Sequence, residues 1–339
     1  MWTNFPGYGY ANGMRTIDYI YRFDPKNPSV KPPPADPEEA RQHLENGNRL
    51  FSEWMRSCRT SSFSTGEPRY VVQCNGLEVG MVRAHGEMPE QAAFAVVVGC
   101  SDARVPPEML FGQGFNDLFV IRVAGNVLAD ECWGSIDYAL NALASSVKLV
   151  VVLGHSGCGA VTSAVDAYLD PLKYSSARTT YMLRSILHRI FVPVHQAAKG
   201  LEKVWGPGAV TMPDYRRSLI ESAVCLNAAH AAYNLYVEAE RSWKSDVLAL
   251  FGVYNLFTHQ VSMPPQNFRT ASEDLTPHVN LAYAPTHPRE FDVLALQMAE
   301  ILRPDAESGQ SATKATNGKG SNRETLPGDV QPESGLLQV

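Results

Sequence analysis

The chain has 339 residues, with 29 lysines and arginines against 35 aspartates and glutamates, and a formal net charge of -6. This acidic balance argues against a nucleic-acid partner, because proteins that bind nucleic acid usually present a basic patch. No window approaches the roughly 18 continuous apolar residues of a membrane span, and the amino terminus lacks the pattern of a secretory signal. We therefore expect a cytoplasmic protein without a membrane partner.

The amino-terminal part, 1–35, is predicted to be an extension that ends in a proline-rich linker. Apolar residues alternate over 17–23, which indicates either a strand or an arm that lies on a partner subunit. After the linker, Asp36 is a favourable N-cap and Pro37 a favourable first helical residue. The sequence therefore predicts an amino-terminal helix that runs to about residue 55.

The middle of the chain alternates apolar runs with helical patterns. The runs 95–99 and 149–154 each end in glycine and predict buried parallel strands, and 247–254 predicts another. Helical patterns cover about 132–146, 178–199 and 214–240, and a last helix follows near residue 291. We expect an α/β fold with a mostly parallel sheet flanked by helices, in one catalytic domain over 36–304. The tail, 305–339, is rich in Ser, Gly, Lys, Thr and Glu and is predicted to be disordered.

Six cysteines occur in the chain. A chain of this length does not need disulfides for stability. Cys58 and Cys74 flank a polar loop and are candidates for reactive thiols, whereas Cys132 and Cys225 fall in helical patterns and are expected to be buried.

The remaining two cysteines belong to motifs that directly follow the first two predicted strands. Cys100 is followed by Asp102 and Arg104, and His155 is followed by Cys158. A lone buried cysteine is usually core packing, but two thiols and an imidazole at neighbouring strand ends are the donors that zinc prefers. With three protein ligands and a fourth position left to water or a weak oxygen ligand, such a site is catalytic.

These motifs, as an ordered set, resemble those of the β-class carbonic anhydrases. The resemblance rests on VVVGCSDARVPPE at 96–108, LFVIRVAGN at 118–126 and GHSGCG at 154–159. Ala103 stands where the family usually has serine, Val123 where asparagine is common, and Asn255 where aspartate is common. None of these departures removes a metal ligand.

The resemblance implies a β-carbonic anhydrase-like fold and one Zn²⁺ per chain, held by Cys100, His155 and Cys158. It also implies that zinc-bound hydroxide hydrates CO2 reversibly to bicarbonate and a proton. Asp102 and Arg104 match a dyad in which the arginine holds the carboxylate off the metal. If that pair breaks, the carboxylate becomes the fourth ligand and closes the site.

The resemblance further implies a plant-type substrate cleft lined by Gln91, Phe119 and Tyr138. For the two aromatic residues, ordinary packing in the core or on a helix face is an equal alternative. Val97 replaces the tryptophan of the members that carry an inhibitory bicarbonate site, so we do not expect that site here. In the family the cleft is built across a dimer interface, which implies a homodimer or a higher even oligomer.

Two other functions remain open from the sequence. The first is hydrolysis of CS2 or COS by the same zinc site, against which Gln91 argues. The second is a non-catalytic scaffold of the same fold, against which the complete set of ligand and dyad residues argues.

Overall fold

The computed structural model describes residues 17–23, 32–60, 69–76, 88–175, 180–242, 247–264 and 280–304. The described residues as far as Arg303 belong to one compact unit. The predicted disordered tail, 305–339, and most of the predicted extension lie outside the described residues. Among the described residues, no helix has both the length and the apolar character needed to span a bilayer.

Strands and helices alternate along most of the chain, as the sequence predicts. The strands are β1 Asp18–Phe23, β2 Arg69–Cys74, β3 Ala95–Gly99, β4 Leu118–Arg122, β5 Leu149–His155, β6 Leu248–Tyr254, β7 Val261–Ser262 and β8 Ala282–Tyr283. The helices are α1 Pro37–Thr60, α2 Pro107–Leu110, α3 Asp130–Ala142, α4 Gly159–Leu169, α5 Pro171–Ser175, α6 Tyr181–Trp205, α7 Tyr215–Ser242 and α8 Arg289–Ile301.

The main sheet confirms the predicted parallel core. Its strand order is β4-β3-β5-β6-β7, and β8 also pairs with β6. The first four strands in this order are parallel, whereas the short β7 and β8 are antiparallel to β6. The sequence did not indicate these two short strands, because two residues are too few for a periodic pattern.

Both faces of the sheet are covered, which explains why its strands are continuous apolar runs. Side chains alternate along a strand, so Val97 packs with residues of α1 such as Leu44 and Phe51. Val96 and Val98 point to the opposite face and pack with residues of α3, α4, α6, α7 and α8. This layering leaves the carboxyl ends of β3 and β5 as the place where polar side chains can gather.

The segment near the amino terminus is a strand within this chain, which confirms one of the two predicted alternatives. β1 pairs in parallel with β2, and Tyr19 stacks on Tyr70 with ring centroids 5.2 Å apart. Tyr19 also contacts Trp54 of α1 edge to face. The predicted helix over 36–55 is longer than expected, because α1 continues to Thr60.

The cysteines outside the two motifs differ partly from expectation. Cys132 and Cys225 are buried, as predicted, and none of the six cysteines forms a disulfide. The expectation of a reactive loop thiol is wrong for Cys74, because its side chain is buried on β2. Burial also raises the pKa of Cys58, which disfavours its reactive thiolate form.

Candidate metal centre

Three predicted ligands converge at the carboxyl ends of two neighbouring strands. Cys100 follows β3, His155 is the last residue of β5, and Cys158 is the N-cap residue of α4. β3 and β5 are paired in parallel up to Gly99 and Leu153, so their carboxyl ends lie side by side. The three ligand atoms all lie within 4.8 Å of one another, and all three residues are buried.

The geometry and the donor set fit a tetrahedral zinc ion. Zinc–sulfur bonds of about 2.3 Å place two thiolate sulfurs about 3.8 Å apart in a tetrahedron, and the Sγ atoms of Cys100 and Cys158 are 3.9 Å apart. The Nδ1 atom of His155 is 3.1 Å from the carbonyl oxygen of Ser156. With Nδ1 donating to that oxygen, Nε2 keeps its lone pair, and the described residues provide no hydrogen-bond partner for this buried nitrogen. An unpaired buried nitrogen is costly, and a metal ion would pair it.

The two thiols are strongly unequal as proton donors. A hydrogen bond with Cys158, together with one from the Gly125 N–H at 3.3 Å, holds the pKa of the Cys100 thiol well below its usual range. The hydrogen bond to the Cys100 thiolate, and then burial, raise the pKa of Cys158. Two neighbouring thiolates repel each other, so a dication bound between them would favour the deprotonated form of both sulfurs.

Asp102 and Arg104 form a fork beside the ligands. The Nε and Nη2 atoms of Arg104 donate to the two carboxylate oxygens of Asp102 at 2.9 and 2.7 Å, and the Arg104 backbone N–H donates at 2.9 Å. The arginine side chain holds the pKa of Asp102 well below its usual range. Oδ2 of Asp102 lies 3.9 Å from Nε2 of His155, so the carboxylate lies next to the ligand cluster.

Arg122 fixes the backbone that carries this fork. Its Nε donates to the carbonyl oxygen of Cys100 at 3.1 Å, and its Nη2 donates to that of Asp102 at 2.5 Å. From the sequence, Arg122 was recognisable as part of a family motif, but its contacts could not be predicted. The structure gives it a local role, because it ties the end of β4 to the turn after β3.

Two polar residues of α7 also reach loops next to the ligands, and neither was among the site residues predicted from the sequence. Asn227 donates to the carbonyl oxygen of Gly125 at 2.8 Å. Glu221 accepts from the backbone N–H of Gly157 at 3.0 Å, and burial raises its pKa. A signal was present for Asn227, which follows Val224 by three residues and precedes Ala231 by four. It therefore interrupts the apolar face of α7 with a buried amide.

A cavity of about 680 Å³ opens beside the centre and is lined in part by Arg104, Ser156, Gly157 and Glu221. It gives small molecules room to approach the ligand cluster. Ser156 is fixed at its edge, since its N–H donates to the Tyr254 carbonyl at 2.9 Å and its Oγ accepts from the Leu256 N–H at 3.0 Å.

The three residues predicted for the substrate cleft lie apart from the ligand cluster. Gln91 is exposed and precedes β3, which begins at Ala95 rather than at Gln91. Since Cys100 follows the opposite end of that strand, Gln91 cannot line the cluster of its own chain. Phe119 pairs with Val96 in the register of β4 and β3. The ring of Tyr138 is 58% exposed, and its centroid is 6.3 Å from that of Phe119.

The chain is similar in sequence to proteins that are named carbonic anhydrases. The family profile described as Carbonic anhydrase matches residues 95–259. A protein of Mycobacterium tuberculosis named Carbonic anhydrase 2 is 38% identical over 138 residues, which cover 41% of this chain and 57% of that protein. The carbonic anhydrase of Mycolicibacterium smegmatis is 35% identical over 173 residues, which cover 51% of this chain and 72% of that protein.

Among solved structures, the chain is similar to a β-carbonic anhydrase of Sordaria macrospora, described as tetrameric, with 23% identity and a TM-score of 0.40. That match covers 51% of this chain and 81% of the other. The match with the M. tuberculosis protein spans little more than half of that relative's length. The extent and identity of the M. smegmatis match, together with the ordered motifs, show that the chain belongs to the β-class carbonic anhydrase family.

Proposed function

We propose that this protein binds one Zn²⁺ through Cys100, His155 and Cys158 and catalyses the reversible hydration of CO2 to bicarbonate and a proton. The observation that carries the proposal is the buried cluster of two sulfurs and an unpartnered His155 Nε2, beside a carboxylate that an arginine holds. Zinc held by three imidazoles lowers the pKa of a bound water from about 9 in the aqueous ion to about 7. Two thiolates donate more charge to the metal, so we expect the pKa of the water here to be somewhat above 7, which would still supply hydroxide in mildly alkaline solution.

In this proposal Asp102 and Arg104 control access to the fourth metal position. The two-point contact from Arg104 fixes the orientation of the Asp102 carboxylate. In that orientation the carboxylate would accept a hydrogen bond from the hydroxide and so direct the hydroxide oxygen towards CO2. If the fork opened, the carboxylate would be free to bind the zinc ion held by the three ligands and so would close the site.

We further propose that Gln91, Phe119 and Tyr138 line a substrate cleft that two subunits build together. Gln91 lies at the far end of β3 from the ligands, so a cleft that contains it needs a second subunit. The exposed ring of Tyr138 beside Phe119 is apolar surface of the kind that subunit contacts cover. A homodimer or a higher even oligomer would supply that second subunit. We also propose that the protein is located in the cytoplasm.

Stopped-flow measurement of CO2 hydration on the zinc-loaded protein tests the activity. We expect rapid hydration that is lost in Cys158→Ser, because this substitution removes a thiolate ligand. CS2 and COS serve as alternative substrates in the same assay. Turnover of CS2 or COS without CO2 hydration would instead identify a hydrolase, and no turnover of any of the three would identify a non-catalytic protein.

The same assay tests the proposed cleft. Gln91→Leu removes the amide that would orient CO2 or bicarbonate, so we expect slower hydration with an unchanged zinc content. Gln42→Leu is the matched control, because Gln42 is an exposed glutamine of α1 whose side chain hydrogen-bonds to Glu38 of its own helix. Equal rates in the parent and in Gln91→Leu would remove Gln91 from the cleft.

A further inference from the structure

Asn227 is a buried amide in the apolar face of α7, and its side chain points at the loop after β4 rather than at solvent. Only 5% of its surface is exposed. Its Nδ2 donates to the carbonyl oxygen of Gly125 at 2.8 Å across 102 positions of sequence. A buried amide on an otherwise apolar helix face costs free energy unless it is paired, so this hydrogen bond accounts for its presence there.

Gly125 is the residue through which Asn227 reaches the sulfur of Cys100. Its φ of 69° lies in the left-handed region, and a Cβ there would lie 3.0 Å from both Ala160 and Ile190. In this conformation the Gly125 N–H points at Sγ of Cys100, 3.3 Å away. Asn227 and Cys100 therefore contact the same glycine. Asn227 donates to its carbonyl oxygen, and the sulfur of Cys100 accepts from its N–H.

We infer that Asn227 is a positioning residue for the Cys100 thiolate, acting through the Gly125 turn. The inference rests on the proposed function, since it assumes that Cys100 is a zinc ligand. A hydrogen bond from a backbone N–H orients a thiolate and offsets part of its charge, and such outer contacts tune metal affinity. Asn227 keeps that N–H in place, because without its hydrogen bond to the Gly125 carbonyl the flexible glycine turn is free to move away from the sulfur.

Asn227→Leu tests the inference, because leucine has a similar size and shape but donates no hydrogen bond. Zinc affinity is measured by competition with a chromophoric chelator, and the cobalt-substituted protein reports the thiolate ligands through their charge-transfer absorption. We expect zinc affinity to fall about 10–100-fold, the usual loss when an outer contact of a metal ligand is removed. We also expect a weaker or shifted charge-transfer band.

The matched control is Asn234→Leu, because Asn234 is exposed and lies two helical turns further along α7. It should leave both the zinc affinity and the cobalt spectrum unchanged. Circular dichroism and the melting temperature in excess zinc show whether each variant is folded. If Asn227→Leu does not fold, Asn227→Ala removes the same donor without adding bulk.

Zinc affinity within about twofold of the parent, with the same cobalt band, would overturn the role of Asn227 while leaving the proposed function intact. A lower melting temperature with unchanged affinity and spectrum would overturn it too, since Asn227 would then serve only folding. If the parent itself bound no zinc, the proposed function would fail first, and this inference with it.

Discussion

Asp102 has two possible partners, the guanidinium of Arg104 and a cation held by the neighbouring ligands. In the structure it is held by Arg104 through both carboxylate oxygens, with Oδ2 3.9 Å from His155 Nε2. Since the carboxylate is already beside the cluster, it could become a further ligand of a metal ion that Cys100, His155 and Cys158 would hold. Arg104 is mostly exposed, so the fork is held by its geometry rather than by burial.

The fork yields a prediction for two variants. Arg104→Ala frees the carboxylate to bind the metal, so we expect activity to collapse while zinc is retained. Asp102→Asn supplies an amide, which is a poor zinc ligand, so we expect a slow site that also keeps its zinc. X-ray absorption should then show one more oxygen ligand from protein in Arg104→Ala than in Asp102→Asn.

The control for this experiment is Arg216→Ala. Arg216 binds Asp166 through Nε and Nη2 at 2.7 and 2.9 Å, so it makes the same fork on a carboxylate outside the ligand cluster, and like Arg104 it lines the cavity beside the centre. It should leave the metal coordination unchanged. Near-parental turnover in Arg104→Ala would show that Arg104 only ties the strand end to its surroundings.

At the scale of single residues, the sequence predicts the three metal ligands better than the residues that hold the neighbouring loops in place. Cys100, His155 and Cys158 are recognisable because their donor types and their places after apolar runs are visible locally. Asn227 and Glu221 are not recognisable in the sequence, because the loops that they contact depend on how α7 packs against the sheet. Only the interruption of an apolar helix face marks Asn227 as unusual.

The helices over the sheet also carry a partly buried histidine, at the contact of α6, α7 and α8. The ring of His230 on α7 stacks on Phe291 of α8, with centroids 3.9 Å apart, and it pairs with Gln196 of α6. Burial lowers the pKa of His230 to about 4. The folded protein therefore keeps this histidine neutral at a pH where the unfolded chain binds a proton.

This shift predicts how acid affects the three-helix contact. The stability that neutral His230 contributes is present in full above pH 6.5 and is lost as the pH falls from 6.5 towards 4. Between pH 7.5 and 5, the parent should lose more unfolding free energy than His230→Gln, by on the order of 1 kcal/mol. Urea unfolding at the two pH values measures the difference, and equal losses would show that His230 is not buried in its neutral form.

Most elements were predictable because their patterns are local. Continuous apolar runs identify β3, β5 and β6, and helical spacing identifies α3, α6, α7 and α8, with differences of a few residues at their ends. The pairing of β1 with β2 was left open, because alternation in a single strand does not say which strand is its partner. The antiparallel β7 and β8 are too short to leave a pattern.

At the scale of the whole molecule, one chain presents the ligands and the fork but not the proposed cleft. β4, which carries Phe119, is an edge strand of the sheet that the structure describes. Edge strands are usually covered by another segment or subunit. We therefore expect catalysis to depend on assembly, while metal binding depends on one chain alone.

The central claim is that Cys100, His155 and Cys158 hold one zinc ion per chain. Elemental analysis of the purified protein, set against Cys100→Ser, tests it most directly. Cys132→Ser is the matched control, because Cys132 is a buried cysteine of α3 that is not one of the three clustered ligands and whose thiol hydrogen-bonds to the Val127 carbonyl oxygen. We predict about one zinc per chain in the parent and in Cys132→Ser, and much less in Cys100→Ser. One zinc per chain in Cys100→Ser, with CO2 hydration intact, would contradict the account.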